Sequence, residues 1–176
     1  KPYYQDSAVT IYHGDCREIV PTLGRFDLLL TDPPYGIDAC NRRKILSRAN
    51  ACKAKDYGVA NWDGAPADQS LLDSIISNCE KAIIWGGNYF RLPPCVGPLV
   101  WDKENFGDFA DGELAWNNLG SALRIKRHMW AGMIRKGREH RDHPTQKPLE
   151  IMTWCISQAG DSAKTILDPF AGSGTT

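Results

Sequence analysis

Apolar residues in this chain come in short runs separated by polar stretches, and two periods run through them. "AVTIYHGD", "FDLLLTD", "KAIIWGG", "GPLVWDK" and "TILDPF" read as strands. Several are apolar without alternation, as expected where both faces of a parallel sheet are covered. Between some of them the period lengthens to that of a helix. "ADQSLLDSIISNC" puts Leu71, Leu72, Ile75, Ile76 and Cys79 on one stripe. "PLEIMTWCISQAG" has Pro148 at a first-turn position, repeats Leu149, Met152 and Ile156, and stops at Gly160. Strands alternating with helices predict an α/β, doubly wound fold in one domain over residues 1–176. Two segments break the alternation. Residues 37–66 are polar and predict a long mobile loop beside the ligand edge. Residues 113–130, "ELAWNNLGSALRIKRHMW", read as two strands around Asn-Asn-Leu-Gly, an antiparallel hairpin.

Composition narrows the class. The 176 residues are 42% hydrophobic and include six Trp, six Tyr and five Phe, enough for one packed core. No run reaches the roughly 18 apolar residues of a membrane span. "KPYYQDSAVT" lacks the apolar run of a signal peptide, so a soluble, cytoplasmic protein is expected. The six cysteines form no C-x-x-C pair, and the four histidines are not at zinc-finger spacing. Reduced thiols and no metal are therefore the expectation, with Cys40 and Cys52 nearest to a ligand pair and Cys79 on the apolar face of a helix. A net charge of zero hides an asymmetry. Residues 121–142 carry seven Lys/Arg against two acids, and residues 101–113 carry five acids and one Lys. Such segregation can build one positive face on a neutral protein.

Open α/β sheets bind ligands beyond the carboxyl ends of their strands. Three strands end there in polar, turn-forming groups: "HGD" (13–15), "DPPY" (32–35) and "DPFAGSGTT" (168–176). "DPPY" alone reads more readily as a simple turn. In the third segment Gly172 and Gly174 allow a tight turn and close approach of a ligand. A helix beginning near Thr175 would aim free N–H groups at an anionic ligand. No Lys follows at Walker spacing, and a dinucleotide fingerprint would need a further glycine past the last residue.

Taken together, "DPPY", "DPFAGSGT" and "HPTQKP" (143–148) resemble the signature of the S-adenosylmethionine-dependent DNA amino-methyltransferases. Their order resembles the permuted, beta-type arrangement, which "IYHGDC" usually opens, and the resemblance spans nearly the whole chain. It implies a Rossmann-like class I sheet in the order 3-2-1-4-5-7-6, with S-adenosyl-L-methionine as cofactor and DNA as partner. By resemblance Asp15 and the Cys16 backbone meet the cofactor's adenine, although Asp15 also suits an N-cap for "CREIV". Asp168 and Phe170 would line the same pocket with Gly172 and Gly174. Asp32 would border it, and Thr145 and Lys147 would cross its floor; a plain loop and helix start also accounts for "HPTQKP".

The implied chemistry accounts for "DPPY". An exocyclic amine is a poor nucleophile because its lone pair is delocalised into the ring. Asp32 supplies a carboxylate acceptor, and Pro33, with no N–H and a fixed φ, can turn its carbonyl inward as a second. Pro34 completes the rigid corner. Tyr35 offers a ring face, and base stacking of this kind is worth about 1–3 kcal/mol. That helps offset extrusion of the base, which costs a few kcal/mol. The nitrogen then attacks the sulfonium methyl carbon in line, and the carbon–sulfur bond breaks to leave the thioether. The glycines of "WGGNYF" (85–90) either make room for the flipped base or form a simple turn. Trp62 and Trp130 read as wedges or as core residues. Arg124, Lys126, Arg127, Arg135, Lys136 and Arg138 are candidate phosphate contacts within a short recognition region, 102–142.

The sequence departs from the family after Thr176, where a further helix and strand are expected. If "TIL" is strand 1 and "AVTIYHG" strand 3, strand 2 should lie between them, so a truncated chain is expected. Asp in the first position of the tetrapeptide leans toward adenine N6. N4-cytosine methylation and a non-catalytic DNA-binding remnant are the alternatives. A homodimer, a paired restriction endonuclease and a phage or bacterial setting are compatible expectations.

Overall fold

The computed structural model describes residues 1–38, 63–105, 110–131, 134–135, 146–172 and 174–176, with backbone alone at 131 and 134–135. In chain order the elements are β1 (Tyr4–Gln5), β2 (Thr10–Ile11), α1 (Cys16–Ile19), β3 (Phe26–Thr31), α2 (Gln69–Ser77), β4 (Cys79–Trp85) and β5 (Leu99–Asp102). They continue with β6 (Gly112–Asn117), β7 (Arg124–Arg127), β8 (Trp130–Ala131), β9 (Ile134–Arg135), α3 (Leu149–Ala159) and β10 (Ile166–Leu167).

Leu28, Leu29 and Leu30 are all fully buried in β3. Successive strand side chains point to opposite faces, so three in a row demand cover on both sides. Leu28 and Leu30 join Ile83, Trp85, Leu99, Trp101 and Ala115 against α3, which contributes Ile151, Met152, Cys155 and Ala159. Leu29 joins Ala82, Ile84, Trp116 and Leu167 on the other face, against Val20 and Ile75. Each fully buried aliphatic side chain is worth about 1.5–3 kcal/mol, so β3 and β4 anchor the molecule.

The central sheet runs β10-β3-β4-β6-β5-β7. β10, β3 and β4 are parallel, β6 is antiparallel to β4 and β5, and β7 runs parallel to β5. This mainly parallel α/β arrangement is Rossmann-like. With "TIL" (β10) as strand 1, the succession reads 1-4-5-7-6 in the order implied by resemblance. Asp27 fixes the β10 register, its Oδ2 accepting from the Lys164 and Thr165 N–H groups at 2.8 Å each.

Several local expectations need correction. The antiparallel hairpin is present, but β5 and β6 form it. Both strands expected within 113–130 do form; β5 lies between them, so they do not pair with each other. The run "AVTIYHGD" yields only the two residues of β2, which pair with β1 in a separate ribbon. Its apolar side chains Val9 and Ile11 are exposed, so no packing extends the strand. Cys79 opens β4 rather than closing a helix, because α2 ends at Ser77. On α3 the buried stripe is Ile151, Met152, Cys155 and Ala159; Leu149, in the first turn, lies off that stripe and is exposed. Pro148 is the N-cap of α3, its carbonyl accepting from the Ile151 and Met152 N–H groups. No helix among the described residues is long and apolar enough to cross a membrane.

Candidate active site

The carboxyl ends of β10, β3, β4 and β5 lie along one edge of the sheet. β6 runs the other way, so its amino end reaches the same edge. Polar side chains converge there from five separated segments.

Thr31 ends β3 fully buried, and its Oγ1 donates to Asp168 Oδ1, just beyond β10, at 2.7 Å. Asp32 follows, half-buried. Its Oδ1 accepts from the Tyr35 hydroxyl, and its Oδ2 receives Lys147 Nζ at 2.6 Å. Lys147 is only 5% exposed and also meets Glu113 Oε2 at 3.0 Å. Lys103 closes the far side of Glu113, with Nζ 2.5 Å from Oε1. Lys147 Nζ also lies 5.4 Å from the centre of the Trp85 ring and 5.8 Å from that of Tyr35.

Each ionisation follows from its surroundings. Burial would lower the Lys147 ammonium, but the carboxylates of Asp32 and Glu113 outweigh it and hold it well above its usual range. Burial works against the Glu113 charge too, yet Lys147 and Lys103 bring its carboxyl down to about 2. Burial, opposed by Lys147 and reinforced by Asp32, holds the Tyr35 phenol well above its usual range. Burial raises the Asp168 carboxyl, against the donors Thr176, Thr31 and the Phe170 N–H.

The corner itself is rigid. Pro33 is buried, and the Pro34 carbonyl accepts from the Ala67 N–H at 3.0 Å. Tyr35 bridges Pro66, and the Gly36 N–H donates to Asp63 Oδ1 at 2.8 Å. Tyr35 stacks on Tyr89, with centroids 4.8 Å apart and planes 15° from parallel. Gly86 has φ +67, and a Cβ there would come within 2.1 Å of Tyr35 Cε1. The "WGG" glycine thus makes room for Tyr35 itself.

The residues that the resemblance assigns to a cofactor have the following surroundings. Asp15 caps α1, accepting from the Arg17 N–H at 2.9 Å, and is gripped by the Arg17 guanidinium. That guanidinium and the Arg17 N–H hold the Asp15 carboxyl at about 2. Cys16 and Phe170 pack against the same core cluster. Gly172 and Gly174 both have positive φ, and the Gly174 N–H closes a turn onto the Ala171 carbonyl at 2.8 Å. Among the described residues after Phe170, Gly172 and Gly174 lie in turns and none is helical. The Asp168 carboxylate, which accepts from the Phe170 N–H at 3.1 Å, suits a ligand with a cationic centre and a flat apolar ring. Lys147, from "HPTQKP", lies against the Asp32 carboxylate; Thr145 falls outside the described residues.

On the far edge of the sheet, β7 exposes Arg124 and Arg127. Arg127 pairs with Asp102 at 3.3 Å and Lys126 with Glu150 at 2.9 Å. Arg135 belongs to β9, described by its backbone alone, and Lys136 and Arg138 lie outside the described residues, as do most of 37–66 with Trp62, Cys40 and Cys52. Trp130 is buried in the core. Glu113, Lys103 and Tyr89 join the site without having been singled out. An acid opening the apolar strand "GELAW" was the available signal for Glu113.

Comparisons with known proteins bear on this geometry. Residues 97–176 match a family of DNA methylases, the N6 and N4 methyltransferases. The whole chain aligns with the type II methyltransferase M.ScaI of Streptomyces caespitosus, 25% identical and covering 74% of it. It aligns likewise with M2.MboI of Moraxella bovis, 24% identical over 81% of that protein. Three quarters of the chain aligns with M2.LlaDCHI of Lactococcus lactis subsp. cremoris, at 27% identity over 45% of it. The resemblance to the DNA N6/N4 methyltransferases therefore holds in overall sequence as well as in motifs.

Proposed function

We propose that this chain, similar along its whole length to type II DNA methyltransferases, methylates an exocyclic amino group of DNA, adenine N6 by preference. The observation that carries the reading is the half-buried Asp32 carboxylate, fixed beside Lys147 and Tyr35 at the strand edge, one residue from the Thr31 contact to Asp168.

S-adenosyl-L-methionine is the donor that fits, supplying an electrophilic methyl group on a cationic sulfur. Asp168, Phe170, Gly172 and Gly174 would hold it from one side, with Asp15 and Cys16 from the other and Asp32 bordering it. Asp32 and the Pro33 carbonyl would accept the two N–H groups of the flipped base and localise the nitrogen lone pair. Asp32 would also take up the proton that the nitrogen sheds. Pro34 and Tyr35 set the corner and the stacking surface. The chain's contribution is mainly positioning, which can supply about 7–11 kcal/mol of a barrier. Arg124, Lys126 and Arg127 would meet phosphates from within the 102–142 region. The present ion pairs of Lys126 and Arg127 are at least partly exposed and worth about 0–1 kcal/mol, so exchange for phosphate is cheap.

Methyl transfer to unmethylated DNA, read by nucleoside mass spectrometry, tests the proposal. N6-methyladenine is expected. N4-methylcytosine would keep the mechanism and change the base. DNA binding with no methylated base would favour a non-catalytic remnant.

A further inference from the structure

Glu113 is an acid at this edge that the mechanism leaves unused. It follows Gly112 at the start of β6, which faces the carboxyl ends of β4 and β5 only because β6 runs antiparallel to both. Its two oxygens are divided between two lysines, Oε1 to Lys103 at 2.5 Å and Oε2 to Lys147 at 3.0 Å. Lys147 then reaches Asp32 Oδ2 at 2.6 Å. The side chains form one file, Lys103–Glu113–Lys147–Asp32, whose charges alternate and cancel.

The file has a chemical consequence for Asp32. A buried ammonium is stable only if carboxylates compensate it. With Asp32 as its sole counter-charge, Lys147 would draw fully onto that carboxylate and weaken it as an acceptor. Glu113 shares the ammonium and fixes it from the opposite side.

We propose that Glu113 is a positioning residue, anchoring Lys147 as a cation so that the Asp32 carboxylate stays oriented toward the target amine. The inference rests on the reading of Asp32 as the amine's acceptor. Among the described residues, the groups facing Lys147 are Asp32 and Tyr35 beyond β3, Glu113 from β6 with Lys103 behind it, the Trp85 ring from β4, and Cys155 from α3. Glu113 is a large part of the negative charge among them. Without it, Lys147 must lose its proton at lower pH.

Glu113→Gln keeps the shape and the acceptor while removing the charge. In lysine-labelled protein, the Lys147 ammonium resonance, assigned through Lys147→Met, is followed with pH beside the pH profile of kcat. The Gln variant should release the Lys147 proton at least about one pH unit lower. The alkaline limb of kcat should move with it, and KM for DNA should stay within about twofold. Glu113→Asp retains the charge but not the reach, and should fall between wild type and Gln in both readings; it carries the test if the Gln variant does not fold. An unchanged Lys147 titration in a folded variant overturns the inference. A shifted titration in a protein that transfers no methyl would support the Glu113–Lys147 coupling and sink the functional reading instead.

Discussion

Lys147 Nζ lies 2.6 Å from Asp32 Oδ2, although 115 residues separate them in the chain. One comes from the loop that enters α3, the other from the end of β3. The contact ties "HPTQKP" to the carboxylate of "DPPY". It gives the lysine an electrostatic role in addition to any part in the cofactor pocket.

Lys147→Met should therefore be costly for stability. It leaves Asp32 and Glu113 without their shared cation, and removal of one partner from a buried ion pair costs about 3–5 kcal/mol. Urea unfolding should report a loss in this range, and methyl transfer should fall in protein that is still folded. A loss typical of an exposed pair, below about 1 kcal/mol, would show that Lys147 is not holding the two carboxylates.

Tyr89 covers the stacking surface of Tyr35. A centroid separation of 4.8 Å leaves no gap for another ring between them, so a base stacking on that face must displace Tyr89. Aromatic pairs of this kind are worth about 0.5–1.5 kcal/mol. Tyr89→Ala should then favour base extrusion by about twofold to tenfold, visible as 2-aminopurine fluorescence at the target position. Reduced fluorescence would mean that Tyr89 supports the flipped base.

Thr31→Val removes a hydroxyl donor that favours the ionised form of Asp168. The sign follows directly. Burial already raises this carboxyl, so it becomes neutral earlier as pH falls, and loss of the Thr31 donor raises it further. Affinity for the cationic cofactor should decline at higher pH in the variant than in wild type, measured by calorimetry across the acid range. Superimposable pH curves would separate Asp168 from cofactor binding.

The β7 arginines supply an electrostatic test. Each phosphate contact contributes about 0.9 to the slope of log K against log salt on duplex DNA. Replacing Arg124 and Arg127 together by Ala should lower the slope by roughly 2, by fluorescence anisotropy, if both meet phosphates. An unchanged slope would place the DNA elsewhere.

The strands of the core were legible because Leu28–Leu30 and Ile83–Trp85 are apolar without interruption, which only a sheet covered on both faces accommodates. Their carboxyl ends, and so the "DPPY" corner, were legible for the same reason. Pairing was less so. The stretch 113–130 contains two strands, but nothing local to it says that β5 inserts between them. Glu113 escaped notice on the same account, since its place at the active edge depends on the direction of β6. The β2 strand was over-read because "AVTIY" has strand composition, whereas packing decides length and its side chains are exposed. The stripe of α3 was misplaced by a fraction of a turn, as "LEIMTWCI" offers apolar residues on more than one face.

Asp32 is where the account is most exposed. Wild-type protein and Asp32→Ala, each shown to be folded by circular dichroism, are incubated with S-adenosylmethionine and unmethylated DNA, and the nucleosides are separated by mass spectrometry. Wild type should yield N6-methyladenine, and Asp32→Ala should yield less by about a hundredfold to a thousandfold, the scale on which loss of a preorganised catalytic group is felt. Undiminished methylation by Asp32→Ala, or no methylated base from wild type, would contradict the account.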